Sequence, residues 1–233
     1  MENIFLRTIG LLGKEKFDRL NSCAVAVFGL GGVGSFAAEA LARSGVGTLY
    51  IYDNDTVSQS NLNRQLIALN STVGKLKTTV LKERLLDINP DIKVIDCPIF
   101  ITPESDIPFS CFDFMVDAVD NVTAKLFIAE SSQKLGVPLI SVMGTGNKLN
   151  PQQLEISDIF DTRECPLCRV MRTELKKRDI KKLSVVWSKE RPCKNNQTEE
   201  KTALGRNAVS SMIFVPATAG LLAASYVVKK LTE

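Results

Sequence analysis

Several residues in this chain are spaced so that together they could hold a string of phosphates. Gly29, Gly31 and Gly34 form G-x-G-x-x-G in FGLGGVGS (28–35), with Gly32 as an extra glycine. In such a loop the first glycine permits a tight turn, and the second lets the backbone approach phosphate oxygens. The third lets the following helix lie close to the strand. Asp53 follows 19 residues after Gly34, where a carboxylate can accept hydrogen bonds from ribose hydroxyls. Two cations come next: Arg64, in SNLNRQ, carries a rigid fork suited to phosphate oxygens, and Lys77, in VGKLK, a movable point charge. The glycine loop and a helix end already satisfy a diphosphate, so further cations beside the ribose carboxylate point to a triphosphate. Asp120, in DAVDN, is a carboxylate that could hold magnesium, which takes oxygen ligands beside phosphates. Each residue has a plainer reading when taken alone. A lone Arg or Lys near a helix start is commonly a solvated charge, and Asp120 with Asn121 could cap a helix beginning near Thr123.

These side chains need a frame that brings them to one edge. CAVAVFGL (23–30) is a continuous apolar run ending at glycine, the pattern of a buried parallel strand. VGSFAAEALARS (33–44) has helix-forming composition and stops at Gly45, and TLYIYD (48–53) predicts a second strand. An amphipathic helix over 73–90, strands at 92–97, 113–120 and 137–144, and a helix near 123–135 continue the alternation. The order predicts an α/β fold: a doubly wound, mostly parallel, Rossmann-like sheet that binds ligands at the carboxyl ends of its strands. Beyond Gly144 the pattern changes to a short strand within 152–162, a basic helix over 167–183 and a polar loop over 188–202. The apolar stretch from Met212 is interrupted by Pro216, Thr218, Gly220 and Ser225, so a buried strand and a final helix are expected rather than a membrane span. The expected organisation is a nucleotide-binding domain over 1–150 and an extension of antiparallel strands and helices over 151–233 on the same core.

The chain has 233 residues, a net charge of +3 and no histidine. The missing imidazole excludes Ser-His-Asp and Cys-His catalysis and histidine metal ligation. Carboxylates, Arg, Lys, metal ions or the substrate's own groups must therefore carry any chemistry. Six cysteines do not make a dense disulfide framework, and the N-terminus lacks the pattern of a secretory signal, so a cytoplasmic location is expected.

The combination of GLGGVGS, YDND, SNLNRQ, VGKLK and DAVDN resembles the ubiquitin-activating-enzyme superfamily, whose small bacterial members adenylate carboxylates. The resemblance implies that Asp53 binds the ribose of ATP, that Arg64 and Lys77 bind its phosphates, and that Asp120 serves a Mg2+ site. It also places the glycine loop, Asp55, Asn61 and Asn121 at the nucleotide. Arg7, in FLRTIG, would reach the ATP of the partner subunit in a homodimer. FLRTIGLLG, GGVGSFAAEALARSGVG, MGTGNKLNP and CPLCRVMRTELKKR are similar to the tRNA threonylcarbamoyladenosine dehydratase branch. That likeness implies adenylation of the threonylcarbamoyl carboxylate on a tRNA adenosine, then ring closure with net loss of water. The chemistry suits a chain without histidine. The attacking carboxylate is already ionised, and ring closure is intramolecular.

The segment 163–194 carries eleven Lys and Arg against four Asp and Glu, which with the resemblance implies a basic, tRNA-facing surface on which Trp187 could stack on a base, and by itself reads more plainly as a solvated lysine-rich helix with Trp187 packed underneath. Cys165 and Cys168 have zinc-knuckle spacing, as in zinc-binding relatives of the superfamily. Only Cys193 remains to complete four ligands, so ordinary thiols are expected. Cys193 is also a candidate for sulfur relay, though nothing in the sequence demands it. The competing function is an adenylyltransferase that activates a ubiquitin-like sulfur-carrier protein, an enzyme type that usually carries two C-x-x-C pairs. A nicotinamide oxidoreductase is the third reading, and NAD binding without ATP binding would favour it.

Overall fold

The computed structural model describes residues 4–193 and 209–233. Seven strands, β1 (Ala24–Phe28), β2 (Thr48–Tyr52), β3 (Lys93–Cys97), β4 (Phe114–Asp117), β5 (Leu139–Val142), β6 (Leu154–Asp158) and β7 (Ser184–Ser188), form one sheet in the order β3-β2-β1-β4-β5-β7-β6. Every neighbouring pair is parallel except β6 with β7. The helices are α1 (Leu6–Leu12), α2 (Lys14–Ser22), α3 (Gly34–Ser44), α4 (Lys77–Ile88), α5 (Val122–Leu135), α6 (Pro166–Lys177) and α7 (Phe214–Thr232).

The two faces of β1 show why the sheet is covered on both sides. Val25 and Val27 point into a core shared with α3, α4 and α7, through Ala37, Leu41, Val80, Leu81, Ala219 and Val227. Ala26 and Phe28 point into the opposite core, with Leu126 and Ile128 of α5 and Met171 and Leu175 of α6. A side-chain period of two lets one apolar strand serve both layers. Each fully buried Leu or Phe of this kind stabilises the fold by about 2 kcal/mol. Close approach completes the first layer: a Cβ on Gly220 of α7 would stand 2.3 Å from the Val33 carbonyl oxygen, so the two helices meet backbone to backbone there.

Four expectations differ from the structure. The helix expected over 73–90 starts only at Lys77, because Gly74, at φ +88, returns its N–H to the Val57 carbonyl and keeps residues 73–76 in a turn. The basic helix expected to run to 183 ends at Lys177. Asp179 takes a left-handed φ of 53, Ile180 donates back to the Leu175 carbonyl, and β7 follows. The C-terminal stretch is a single helix with no strand. Pro216 lies in its first turn, where a missing N–H is tolerated. Finally, Trp187 lies in β7, 3% exposed, with its indole N–H donating to Ser157 Oγ at 2.9 Å, so it cannot stack on a base.

No helix among the described residues is long and apolar enough to cross a bilayer. Part of the polar loop expected over 188–202 lies outside the described residues.

Candidate functional site

The strand order reverses at β1, which has β2 on one side and β4 on the other. Loops leaving the carboxyl ends of such strands diverge and open a crevice. Here the crevice is a cavity of about 980 Å³. Gly29, Gly31, Gly32, Asp53, Asp55, Asn61, Arg64, Lys77, Asp120 and Asn121 all line it. Gly34 stands just behind, at the start of α3.

The glycine loop is built for backbone exposure. Gly29 has φ +85, and a Cβ there would stand 2.8 Å from the Ala118 carbonyl oxygen; at Gly34 it would stand 1.8 Å from the Gly29 carbonyl oxygen. Side chains are excluded at both positions. Near Gly31 the closest atom to such a Cβ is Gln65 Nε2 at 3.8 Å, which leaves the backbone open towards the cavity. The first turn of α3 begins here, where the Ser35 N–H reaches the Gly31 carbonyl at 3.3 Å, and it brings the positive end of the helix dipole to this edge.

Asp53 is held by the loop it follows. One carboxylate oxygen accepts from the Leu30 N–H at 2.7 Å, and the other from the Asp55 N–H at 2.8 Å. Lys77 is the first residue of α4 and only 5% exposed. Its ammonium donates to Asp55 at 2.7 Å and lies 3.7 Å from Asp53. Asp55 itself is exposed. Asn61 is buried and accepts from the Ser58 N–H at 3.1 Å, so its carbonyl shapes the short 59–61 turn. Arg64 directs Nη1 to the Ser60 carbonyl at 2.6 Å and to Asn63 Oδ1 at 2.9 Å. Among the described residues it pairs with no carboxylate. Asn121 caps α5, accepting from the Thr123 N–H at 2.8 Å, and this leaves its neighbour Asp120 exposed at the rim. Arg7 is exposed on α1 and is not among the cavity residues of this chain.

Three features were not read from the sequence. Gln65 lines the cavity with a buried Oε1 that has no hydrogen-bond partner among the described residues. An orphaned acceptor of this kind suits a ligand N–H or hydroxyl. Phe100 covers one wall and is 57% exposed. Beneath the floor, Lys125 donates to Asp117 at 2.9 Å and to the Val142 carbonyl at 2.8 Å, and Ser141 Oγ donates to the same Asp117 carboxylate. Asp117 also accepts from the Val119 N–H at 3.1 Å, which fixes the turn leading to Asp120. An acid within the apolar FMVD run was the available signal for this network.

Charge is less free on the basic segment than its composition suggests. Lys177 and Arg178 pair with Glu174, Lys189 with Glu155 and Arg191 with Glu164. Arg172 turns inward to the Thr162 carbonyl at 3.0 Å. Arg163, Arg169 and Lys182 have no carboxylate partner among the described residues, and Lys176 lies 5.8 Å from the centre of the Phe160 ring.

Comparison with known proteins adds to this geometry. The ThiF family model matches residues 5–233. The tRNA threonylcarbamoyladenosine dehydratase of Bacillus subtilis (strain 168) is 42% identical over 240 residues, which cover 98% of this chain and 94% of that protein. The crystal structure of E. coli tRNA N6-threonylcarbamoyladenosine dehydratase, TcdA, in complex with AMP has a TM-score of 0.87 at 30% identity, covering 97% of this chain and 92% of that one. In its complex with ATP the TM-score is 0.86, with 97% and 93% covered.

Proposed function

The chain belongs to the ThiF family, and on that premise we propose that it is an ATP-dependent tRNA-modifying enzyme that adenylates the carboxylate of threonylcarbamoyladenosine and closes the ring with net loss of water. One observation carries this reading: an open glycine loop, Lys77 and a carboxylate-free Arg64 converge in one cavity with the ribose-type acid Asp53. That is a set of partners for a nucleotide carrying several phosphates.

The substrate carboxylate attacks the α-phosphorus, forming the acyl–AMP anhydride and releasing pyrophosphate. Because that carboxylate is ionised at neutral pH, no protein base is required. The protein's task is to align the groups and to stabilise the charge on the phosphates. Arg64 presents its fork, and Lys77 shifts from Asp55 towards the entering phosphates. Ring closure onto the activated carbonyl then expels AMP, again without a protein nucleophile. Asp120, exposed at the rim, would hold magnesium together with phosphate and water oxygens, a donor set that suits a hard cation. When bound, such an ion neutralises phosphate charge.

The reading extends to assembly. We place the enzyme in the cytoplasm as a homodimer in which Arg7 reaches the partner subunit's nucleotide. In support, α1 has no buried residues, and it exposes Leu6 and Leu11 (57% and 85%) beside Arg7. Residues 1–150 would handle the nucleotide, and 151–233 would face the tRNA, with Arg163, Arg169 and Lys182 as the free cations.

The decisive experiment is nucleoside mass spectrometry of tRNA incubated with the protein and ATP. A product lighter than threonylcarbamoyladenosine by one water is expected, and a nucleoside of unchanged mass beside intact ATP would overturn the reading. Mixing inactive Arg7→Ala subunits with inactive Lys77→Ala subunits should restore part of the activity, because each mixed dimer contains one complete site.

A further inference from the structure

The CPLC motif of residues 165–168 is unused by the nucleotide chemistry and sits where α6 begins. Cys165 is the N-cap residue and Pro166 the first helical one. Cys165 therefore stands at the positive dipole end of the first turn, without a capping hydrogen bond from its sulfur. Cys168, three residues on, lies one turn along on the same face of the helix. Both thiols are free and buried, 3% and 0% exposed.

A second, independent feature points to an anion at Cys165. Lys148 is 3% exposed, and its ammonium donates to the Gly144 carbonyl at 2.9 Å. No carboxylate among the described residues pairs with it. A buried ammonium calls for a counter-charge, and Cys165 comes to the same glycine: its sulfur lies 3.8 Å from where a Cβ on Gly144 would stand, the residue whose carbonyl Lys148 binds. The hydrogen bond from Cys168, reinforced by Lys148, holds the Cys165 thiol far below its ordinary range, at about 5. The same hydrogen bond, together with burial, pushes the Cys168 thiol up. The result is a thiolate beside a protonated thiol, the pairing that disulfide exchange requires. Access exists as well. Cys165 lines a surface cavity of about 750 Å³, together with Glu164, Arg169, Arg172 and Thr173.

We propose that Cys165 and Cys168 form a thiol–disulfide exchange site whose substrate is a small organic disulfide entering through this second cavity. The Cys165 thiolate attacks one sulfur of R–S–S–R, forming Cys165–S–S–R and releasing RS⁻. Cys168 then attacks Cys165 Sγ, and its proton leaves with the second RS⁻ as RSH. The dithiol is oxidised to the Cys165–Cys168 disulfide, and one disulfide is reduced to two thiols.

The test is to incubate the folded protein at pH 6 with bis(2-hydroxyethyl) disulfide, alkylate the remaining thiols and map the peptides by mass. The expected wild-type product is a Cys165–Cys168 disulfide, two hydrogens lighter than the dithiol. Cys168→Ser should stop at the mixed disulfide on Cys165, and Lys148→Gln in that background should slow its formation about tenfold by removing the cation beside the thiolate. Wild-type labelling confined to the exposed Cys111 and Cys193, with both buried thiols recovered as alkylated dithiol after unfolding, would overturn the proposal. So would stoichiometric zinc that must be chelated before Cys165 reacts. The wild-type map decides the question even if a variant folds poorly, and it needs neither ATP nor tRNA.

Discussion

Two buried lysines of this molecule, Lys77 in the nucleotide cavity and Lys148 in the loop after β5, are treated in opposite ways. Over the β1–β4 edge, Lys77 is paired with Asp55 and lies near Asp53, and beneath the same floor Lys125 is paired with Asp117. In the loop after β5, Lys148 has the Gly144 carbonyl and, among the described residues, no carboxylate, while Cys165 lies against the same glycine. The first arrangement is neutralised in advance, so a ligand must exchange partners with the lysine, and only Arg64 offers uncommitted charge. The second leaves the thiol to supply the missing negative charge. A buried cation thus serves to position groups in one place and to ionise a neighbour in the other.

Breaking a neutralised pair should have the largest effect. Lys125→Met leaves the Asp117 carboxylate buried without its partner, and unfolding in urea should show a loss of about 3–5 kcal/mol. Serine and backbone donors to Asp117 would remain, so the double variant Lys125→Met with Asp117→Leu should recover part of that loss. Next, Arg64→Ala should lower kcat/KM for ATP-dependent tRNA modification about 100-fold or more while leaving the melting temperature unchanged, because Arg64 touches only neighbouring exposed groups. A drop in stability equal to that of Lys125→Met would erase the distinction between a free and a committed cation. Third, Asn121→Ala removes the cap of α5 and should cost about 1 kcal/mol, measured by thermal unfolding.

The smallest effect concerns Glu39, which ties α3 to α4 through Arg84 and also pairs with Arg43. Burial alone would raise its carboxyl, but the hydrogen bonds from Arg84 and Arg43 outweigh burial and hold it below the ordinary value. A carboxyl depressed in the folded state stabilises above its unfolded pKa and loses that contribution as pH falls through the folded one. Urea unfolding at pH 7 and at pH 3 should therefore show that Glu39→Gln flattens the acid-side loss by less than about 1 kcal/mol.

The parts that could be read from the sequence share one property: their signals are local. The glycine run, Asp53 and the DAVDN acid each sit at the end of an apolar strand, and the parallel sheet brings such ends to one edge, while Arg64 and Lys77 carried their signal in the SNLNRQ and VGKLK stretches of the same crossover. What escaped depends on partners far along the chain. The VVW core of β7 is an apolar run of only three residues between lysine-rich flanks, and it becomes a central strand only because β5 and β6 flank it. Trp187 belongs to the same strand, and of its two readings the packed one holds, though nothing nearby in the sequence reveals that Ser157 receives its indole N–H. Pro216 and Gly220 read as interruptions of the C-terminal apolar stretch, yet both belong to one helix. One lies in the first turn, and the other is small for the sake of contact with Val33.

That last contact has a consequence for how the chain is made. Pro216 lies against Gly32, at 3.3 Å from where its Cβ would be, and Gly220 against Val33, so the outer wall of the phosphate loop comes from the final helix of the described chain. A ribosome releasing this polypeptide will have exposed β1, the loop and β2 long before α7 emerges. The crossover must therefore wait, partly uncovered, until some 160 further residues have been translated. Synthesis order and site order run in opposite directions here: the first phosphate-binding element to appear is the last to be closed.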